Sequence, residues 1–152
     1  MLEVEKILKA KNIEYRLIEL SNRALTVQDV VKFSKGDIVI EEICKTIIVE
    51  DDHNLNYALF IRGHDRIDFK KIGKSLKRKM KILSPLDVGY VAGVEPGAIC
   101  PILLKIPIYI DERVTKLNKI NFGSGNHLYG IEMNTQDFLS MVPSKILDIA
   151  QK

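Results

Sequence analysis

Three stretches of the chain could do chemistry. Lys45 sits in Ile43-Cys44-Lys45-Thr46-Ile47-Ile48-Val49, where period-two alternation puts it on one face with Ile43, Ile47 and Val49. A lysine in that company either snorkels to the rim or stays half-desolvated, and in the second state it is a cation for an ester or a phosphate. The second stretch is Gly93-Val94-Glu95-Pro96-Gly97-Ala98-Ile99-Cys100-Pro101, followed by an apolar run from Ile102 to Ile110. Two glycines and two prolines in nine residues forbid a regular helix or a central strand, and the loop is too apolar for a solvated linker. Its main-chain N–H groups between Gly97 and Pro101 can face a carbonyl or an oxyanion; the alternative is a tight turn feeding an edge strand. The third is His127, beside the turn Gly123-Ser124-Gly125-Asn126, where a lone histidine is either a catalyst or a hydrogen-bonded surface or core residue.

Charge adds a fourth feature. The chain carries a formal +3 overall, but between Arg62 and Lys81 nine basic residues (Arg62, Arg66, Lys70, Lys71, Lys74, Lys77, Arg78, Lys79, Lys81) face two acidic ones, Asp65 and Asp68. That segment is +7 and the remainder −4, from 9 − 2 and 3 − 7. Such a field concentrates polyanions and predicts salt-sensitive binding to phosphates, although a lysine-rich helical face is also ordinary solubilising surface.

These residues need positioning. Val4, Ile7 and Leu8 in Leu2–Lys11 have helical spacing, and Tyr15–Leu20 reads as a strand. Thr26-Val27-Gln28-Asp29 resembles a capping box opening a second helix, with Gly36 as its C-terminal cap. The β-branched run around Lys45, the turn Asp51-Asp52-His53-Asn54 and Tyr57–Ile61 make a hairpin. Asp65 or Asp68 caps a basic helix that buries Phe69, Ile72 and Leu76 and turns Lys70, Lys71, Lys74 and Lys77 outward. Ser84-Pro85 opens a short helix stopped by Gly89. Ile102–Lys105 and Ile108–Ile110 read as strands around Pro107, and Asp111 caps a helical turn to Leu117. Lys119–Phe122 and His127–Met133 form a second hairpin, Asn134 caps a helix over Thr135–Met141, and Pro143-Ser144 starts a last helix.

With 152 residues, 46% of them hydrophobic, one domain with a substantial core is expected. The charged N-terminal stretch lacks the apolar centre of a signal peptide, and no run approaches the ~20 apolar residues of a membrane span, so a soluble cytoplasmic protein is expected. Cys44 and Cys100 stand apart from one another and from any histidine pair, so no metal, cofactor or disulfide framework is expected.

The order Lys45-Thr46 on a strand, Gly93 through Pro101, Ile108-Tyr109-Ile110-Asp111-Glu112, then His127-Leu128-Tyr129-Gly130 resembles the YbaK and prolyl-tRNA synthetase insertion-domain family of aminoacyl-tRNA deacylases. The likeness runs from about the first helix to the last and is stronger to the insertion-domain branch. It implies an α/β single domain, a mixed, curled sheet of about six to seven strands surrounded by helices, and a pocket for the aminoacyl end of a tRNA. By resemblance, Lys45 and the loop Gly97, Ala98, Ile99, Cys100 and Pro101 would be catalytic, and His127, Thr46 and Gly93 would bind substrate. Lys70, Lys71, Lys74, Lys77, Arg78 and Lys81 would hold the acceptor stem. The chain departs from the pattern at Cys100, where a second glycine is usual, and at Ala98, where serine is frequent.

The implied function is trans-editing of small-amino-acid esters such as alanine on tRNA(Pro), with aminoacyl-tRNA and a prolyl-tRNA synthetase as partners and an open oligomeric state. An ester has an acceptable leaving group, so positioning and oxyanion stabilisation can suffice without a Ser-His-Asp set. A non-enzymatic tRNA- or synthetase-binding module with the same fold is the competing class, favoured by Cys100. A nucleotide hydrolase lacks its P-loop and its carboxylate cluster.

Overall fold

Short β-branched runs, each bounded by a turn or a capping residue, set the architecture, and side chains satisfy the helix starts. The Thr26 hydroxyl accepts the Asp29 N–H at 3.1 Å while the Asp29 carboxylate accepts the Thr26 N–H at 3.3 Å, which is the expected capping box. Asp68 rather than Asp65 opens the basic helix, accepting the N–H groups of Lys70 and Lys71. The computed structural model describes residues 1–152. In order the elements are α1 (Glu3–Ala10), β1 (Tyr15–Glu19), α2 (Val27–Phe33), β2 (Cys44–Asp51), β3 (Asn56–Arg62), α3 (Phe69–Leu76) and β4 (Met80–Ile82). Then follow α4 (Pro85–Ala92), β5 (Ile108–Asp111), β6 (Lys119–Gly123), β7 (Tyr129–Asn134), α5 (Thr135–Met141) and β8 (Lys145–Leu147).

The expected mixed α/β architecture is present, and its strands divide between two sheets. One has three antiparallel strands in the order β1-β7-β6; the other has five, β4-β2-β3-β5-β8, with β5 parallel to both neighbours. A single parallel bridge, Ile43 with Asn121, stitches β2 to β6. The main core lies between the sheets. Phe60 of β3 stacks on Phe138 of α5 at 4.8 Å between ring centroids and meets Phe122 of β6 edge-on at 5.9 Å, so three rings tie both sheets to one helix. A second apolar cluster, including Val49, Leu59, Ile61 and Ile72, seats α3 on the opposite face of the five-stranded sheet.

Several elements differ from expectation. Residues Pro101–Leu103 form a 3-10 turn instead of a strand, because Pro101 has no N–H to give a ladder and Ile102 and Leu104 pack on the core from an irregular backbone. Gly89 lies inside α4, which runs on to Ala92 and is capped by Gly93 at φ +75°. Gly36 caps nothing, since α2 ends at Phe33 with Ser34 as its C-cap. Pro143-Ser144 leads into β8 rather than a helix, as Lys145–Leu147 adds to the edge of β5. Phe69, expected on the buried side of α3, is 37% exposed; Ile72 alone is fully buried there.

Candidate active site

The hairpin β2–β3 leaves part of its own edge open. The Gly63 N–H bonds to the Ile43 carbonyl on the β3 side, whereas the Leu83 N–H bonds to the Ile48 carbonyl on the other, so the main chain of even-numbered β2 residues faces away from β3. The three residues of β4 pair only with Val49–Asp51. Between that pairing and the bridge at Ile43, no strand is in register with the outer edge of β2 at Thr46. A cavity of about 200 Å³ lies over this gap, and Lys45, Thr46, Gly97, Ile99, Asn121 and His127 all border it. Its apolar wall comes from Ile18 of the three-stranded sheet, from Leu20 just after β1, and from Ala24, Val27 and Val30 on and before α2.

Lys45 is half-buried and takes part in no ion pair. Burial pushes its ammonium below the ordinary lysine value, opposed by the carboxylate of Asp65 and reinforced by the cation of Arg66. Asp65 is itself held by the Arg62 guanidinium at 2.7 Å. Lys45 is therefore a desolvated cation with spare capacity at the mouth of the cavity.

The glycine-rich loop reaches the cavity by very close packing. A Cβ on Gly97 would come within 2.7 Å of the Ala24 carbonyl oxygen, and one on Gly123 would collide with the carbonyl of Ile99. The Gly125 N–H bonds to the Ala98 carbonyl at 2.8 Å, and Arg23 pairs with Glu95 across the rim. Gly97 and Ile99 face the cavity, while Ala98, Cys100 and Pro101 are buried behind them. Burial pushes the Cys100 thiol up to about 12, so it is neither a nucleophile nor part of the wall. Gly93 stands outside the lining as the cap of α4. Thr46 borders the cavity, yet its hydroxyl oxygen is fully buried and unpaired. His127 lines the cavity from the β6–β7 turn, and its carbonyl accepts the Ala24 N–H at 3.3 Å.

The basic stretch divides into two kinds of residue. Lys70, Lys74 and Lys77 are exposed and carry no ion pair. Lys71 does not face outward as expected: its ammonium bonds to the Asp148 carboxylate at 3.0 Å and the Ala150 carbonyl at 2.8 Å, pinning the C-terminal segment to α3. Arg78 contacts His53 at 2.8 Å and lies 3.9 Å from Asp51, and Lys81 lies 4.0 Å from Glu50. Because Lys81 pairs with Glu50 in register, this end of the patch lies five residues, roughly 17 Å, along β2 from Lys45.

Asn121 was not anticipated from the sequence. It is 4% exposed, borders the cavity and sits at the bridge between the sheets. In Lys119-Ile120-Asn121-Phe122 it reads as an ordinary outward polar residue of a half-buried strand; its neighbours in the fold, Ile43 across the bridge and Gly130 of β7, come from elsewhere in the chain.

Comparison with known proteins places the chain in a family. Residues 22–141 match the model of a family described as the aminoacyl-tRNA editing domain. The proline–tRNA ligase of Blochmanniella pennsylvanica (strain BPEN) is 31% identical over 117 residues, an alignment that takes in 70% of this chain and 20% of that enzyme. The chain thus spans about a fifth of the synthetase it matches. Among solved structures, the hypothetical protein APE2540 superposes with a TM-score of 0.84 at 22% identity, over 97% of this chain and 99% of that one. A candidate trans-editing enzyme for prolyl tRNA synthetase superposes with a TM-score of 0.83 at 16% identity, over 98% and 95% of the two chains. No helix is long and apolar enough to cross a membrane.

Proposed function

Because the chain belongs to the aminoacyl-tRNA editing domain family, as the match over residues 22–141 establishes, we propose that it hydrolyses the ester of mischarged aminoacyl-tRNA, with small acyl groups such as alanine on tRNA(Pro) as substrate. The observation that carries the proposal is the meeting of Lys45, the Gly97–Ile99 main chain and His127 on one small cavity beside an unpaired strand edge. A cavity of about 200 Å³ lies below the range usual for larger ligands, which favours a small acyl group.

In this reading the loop N–H groups receive the ester carbonyl, and Lys45 stabilises the negative charge that grows on its oxygen when water attacks. The carbonyl carbon gains the water oxygen, the bond to the ribose oxygen breaks, and that oxygen departs with a proton. Thr46 offers its free peptide group to orient the acyl-ribose, and His127 limits side-chain size from the turn. Lys70, Lys74 and Lys77 hold the acceptor stem through its phosphates. A prolyl-tRNA synthetase is the proposed source of the mischarged tRNA, and the cytoplasm the proposed place of action.

Incubation with a panel of mischarged tRNAs tests the proposal directly. Alanyl-tRNA(Pro) should lose its acyl group much faster than cognate prolyl-tRNA(Pro), and an unaltered or lengthened ester lifetime across the panel would overturn it.

A further inference from the structure

We infer that Asn121 recognises the α-amino group of the acyl moiety, making it the residue that separates free-amine esters from N-blocked ones; this rests on the deacylase reading above. The argument starts from what the cavity lacks. No aspartate or glutamate borders it, whereas donors are plentiful: the Lys45 ammonium, the loop N–H groups and the His127 ring. An aminoacyl ester brings two polar groups with opposite needs. Its carbonyl is an acceptor and matches those donors, while its α-amine is a donor and needs an acceptor placed away from a cation.

Asn121 meets that need. The residue is 4% exposed, and it borders the cavity. Asn126 and Asn134 spend their amide oxygens on main-chain N–H groups, but Asn121 has no protein partner. A buried amide left unpaired is costly unless something else completes it. The Thr46 hydroxyl is also unpaired, yet it is sealed from the cavity, whereas the Asn121 amide is not. Space for the amide is provided by Gly130 on β7, where a Cβ would come within 3.1 Å of Asn121 Oδ1. Lys45 and Asn121 reach the cavity from different strands, so a carbonyl near the first and an amine near the second fit the two ends of one short acyl group.

The test compares hydrolysis of an alanyl ester of tRNA with that of its N-acetylated counterpart, reading the ratio of the two kcat/KM values. Wild type should prefer the free amine by roughly ten- to hundredfold, the worth of one hydrogen bond from a charged donor. Asn121→Leu should bring the ratio close to one, while Asn121→Asp, which keeps an acceptor oxygen, should preserve it. Gly130→Ala crowds the amide without removing it and should also lower the ratio, which keeps the inference testable should Asn121→Leu fail to fold. A wild-type ratio near one, or an Asn121→Leu ratio equal to wild type, would overturn it; the second result would assign the amine to a main-chain carbonyl such as that of Thr46. Failure of wild type to cleave the free-amine ester would instead remove the deacylase reading itself.

Discussion

The carbonyl oxygen of Ile99 lies directly over Gly123, so close that no side chain of any size fits between them. This contact fixes the glycine-rich loop against the end of β6 and so sets where its N–H groups point. Gly123→Ala must move the loop or the strand. Overpacking of this kind costs about 1–3 kcal/mol, and deacylation should fall further than the loss of folded protein accounts for. Thermal unfolding and kcat measured on the same preparation check both halves.

Lys45→Met should lower deacylation by roughly 10²- to 10³-fold, the usual loss on removing one oxyanion-stabilising group. The fold should not suffer. Burial lowers the Lys45 pKa, so at neutral pH the charged side chain opposes folding, and that opposition fades as pH rises through the lowered value toward the ordinary 10.5. The variant should therefore melt no lower than wild type at pH 7, and unchanged turnover would remove Lys45 from the mechanism.

Charge reversal separates the two kinds of lysine on α3. Lys74→Glu and Lys77→Glu should raise the KM for tRNA and reduce the salt dependence by about one phosphate contact each, with little change in Tm. Lys71→Glu should instead lower the Tm, because it turns the 3.0 Å bond to Asp148 into a repulsion. Titrating KM against salt for all three, beside their melting curves, checks the division.

Acid should loosen two distant points of the fold. Asp148 is held below the ordinary carboxylate value first by its bond to Lys71 and then by Arg113. Burial works against the charge of Asp51, but the N–H groups of Leu55 and His53 and the Tyr57 hydroxyl outweigh it and lower its pKa as well. Both contributions are complete above the unfolded value near 3.8 and are lost as pH falls through the lower folded values. Asp51→Asn and Asp148→Asn should melt lower at pH 7 and show a flatter fall in Tm below about pH 4, the ordinary carboxylate range, than wild type.

Cys100 should prove silent to thiol reagents. With its thiol buried and its pKa raised to about 12, alkylation of the native protein should leave activity unchanged. Loss of activity in step with Cys100 labelling would mean that the loop opens.

The legible parts of the fold were those written in local chemistry. Alternation around Lys45, the turn at Asp51–Asn54 and the caps at Thr26, Asp68 and Asn134 each carry their own structural instruction within a few residues. Lys145–Leu147 carries none: after Pro143 it reads equally as a helix start, and its strand exists only because β5 presents an edge from more than thirty residues earlier in the chain. The loop was legible in composition but not in orientation, since the choice of Gly97 and Ile99 for the cavity and Cys100 for the interior follows from Gly123. Lys71 looked like its neighbours until Asp148 arrived from the far end of the chain. Asn121 had no local mark at all.

The gap that β4 leaves beside Thr46 divides labour in the pocket. A peptide group belongs to every amino acid, so no codon change other than one to proline can delete the donor it offers, and in the proposed mechanism this part of the recognition would persist through sequence drift. Selectivity would then evolve in the surrounding walls, on β6, β7 and α2, where side chains can be exchanged without disturbing the strand proposed to hold the ester. One scaffold can in this way be retuned from one acyl group to another while its hydrolytic geometry stays put.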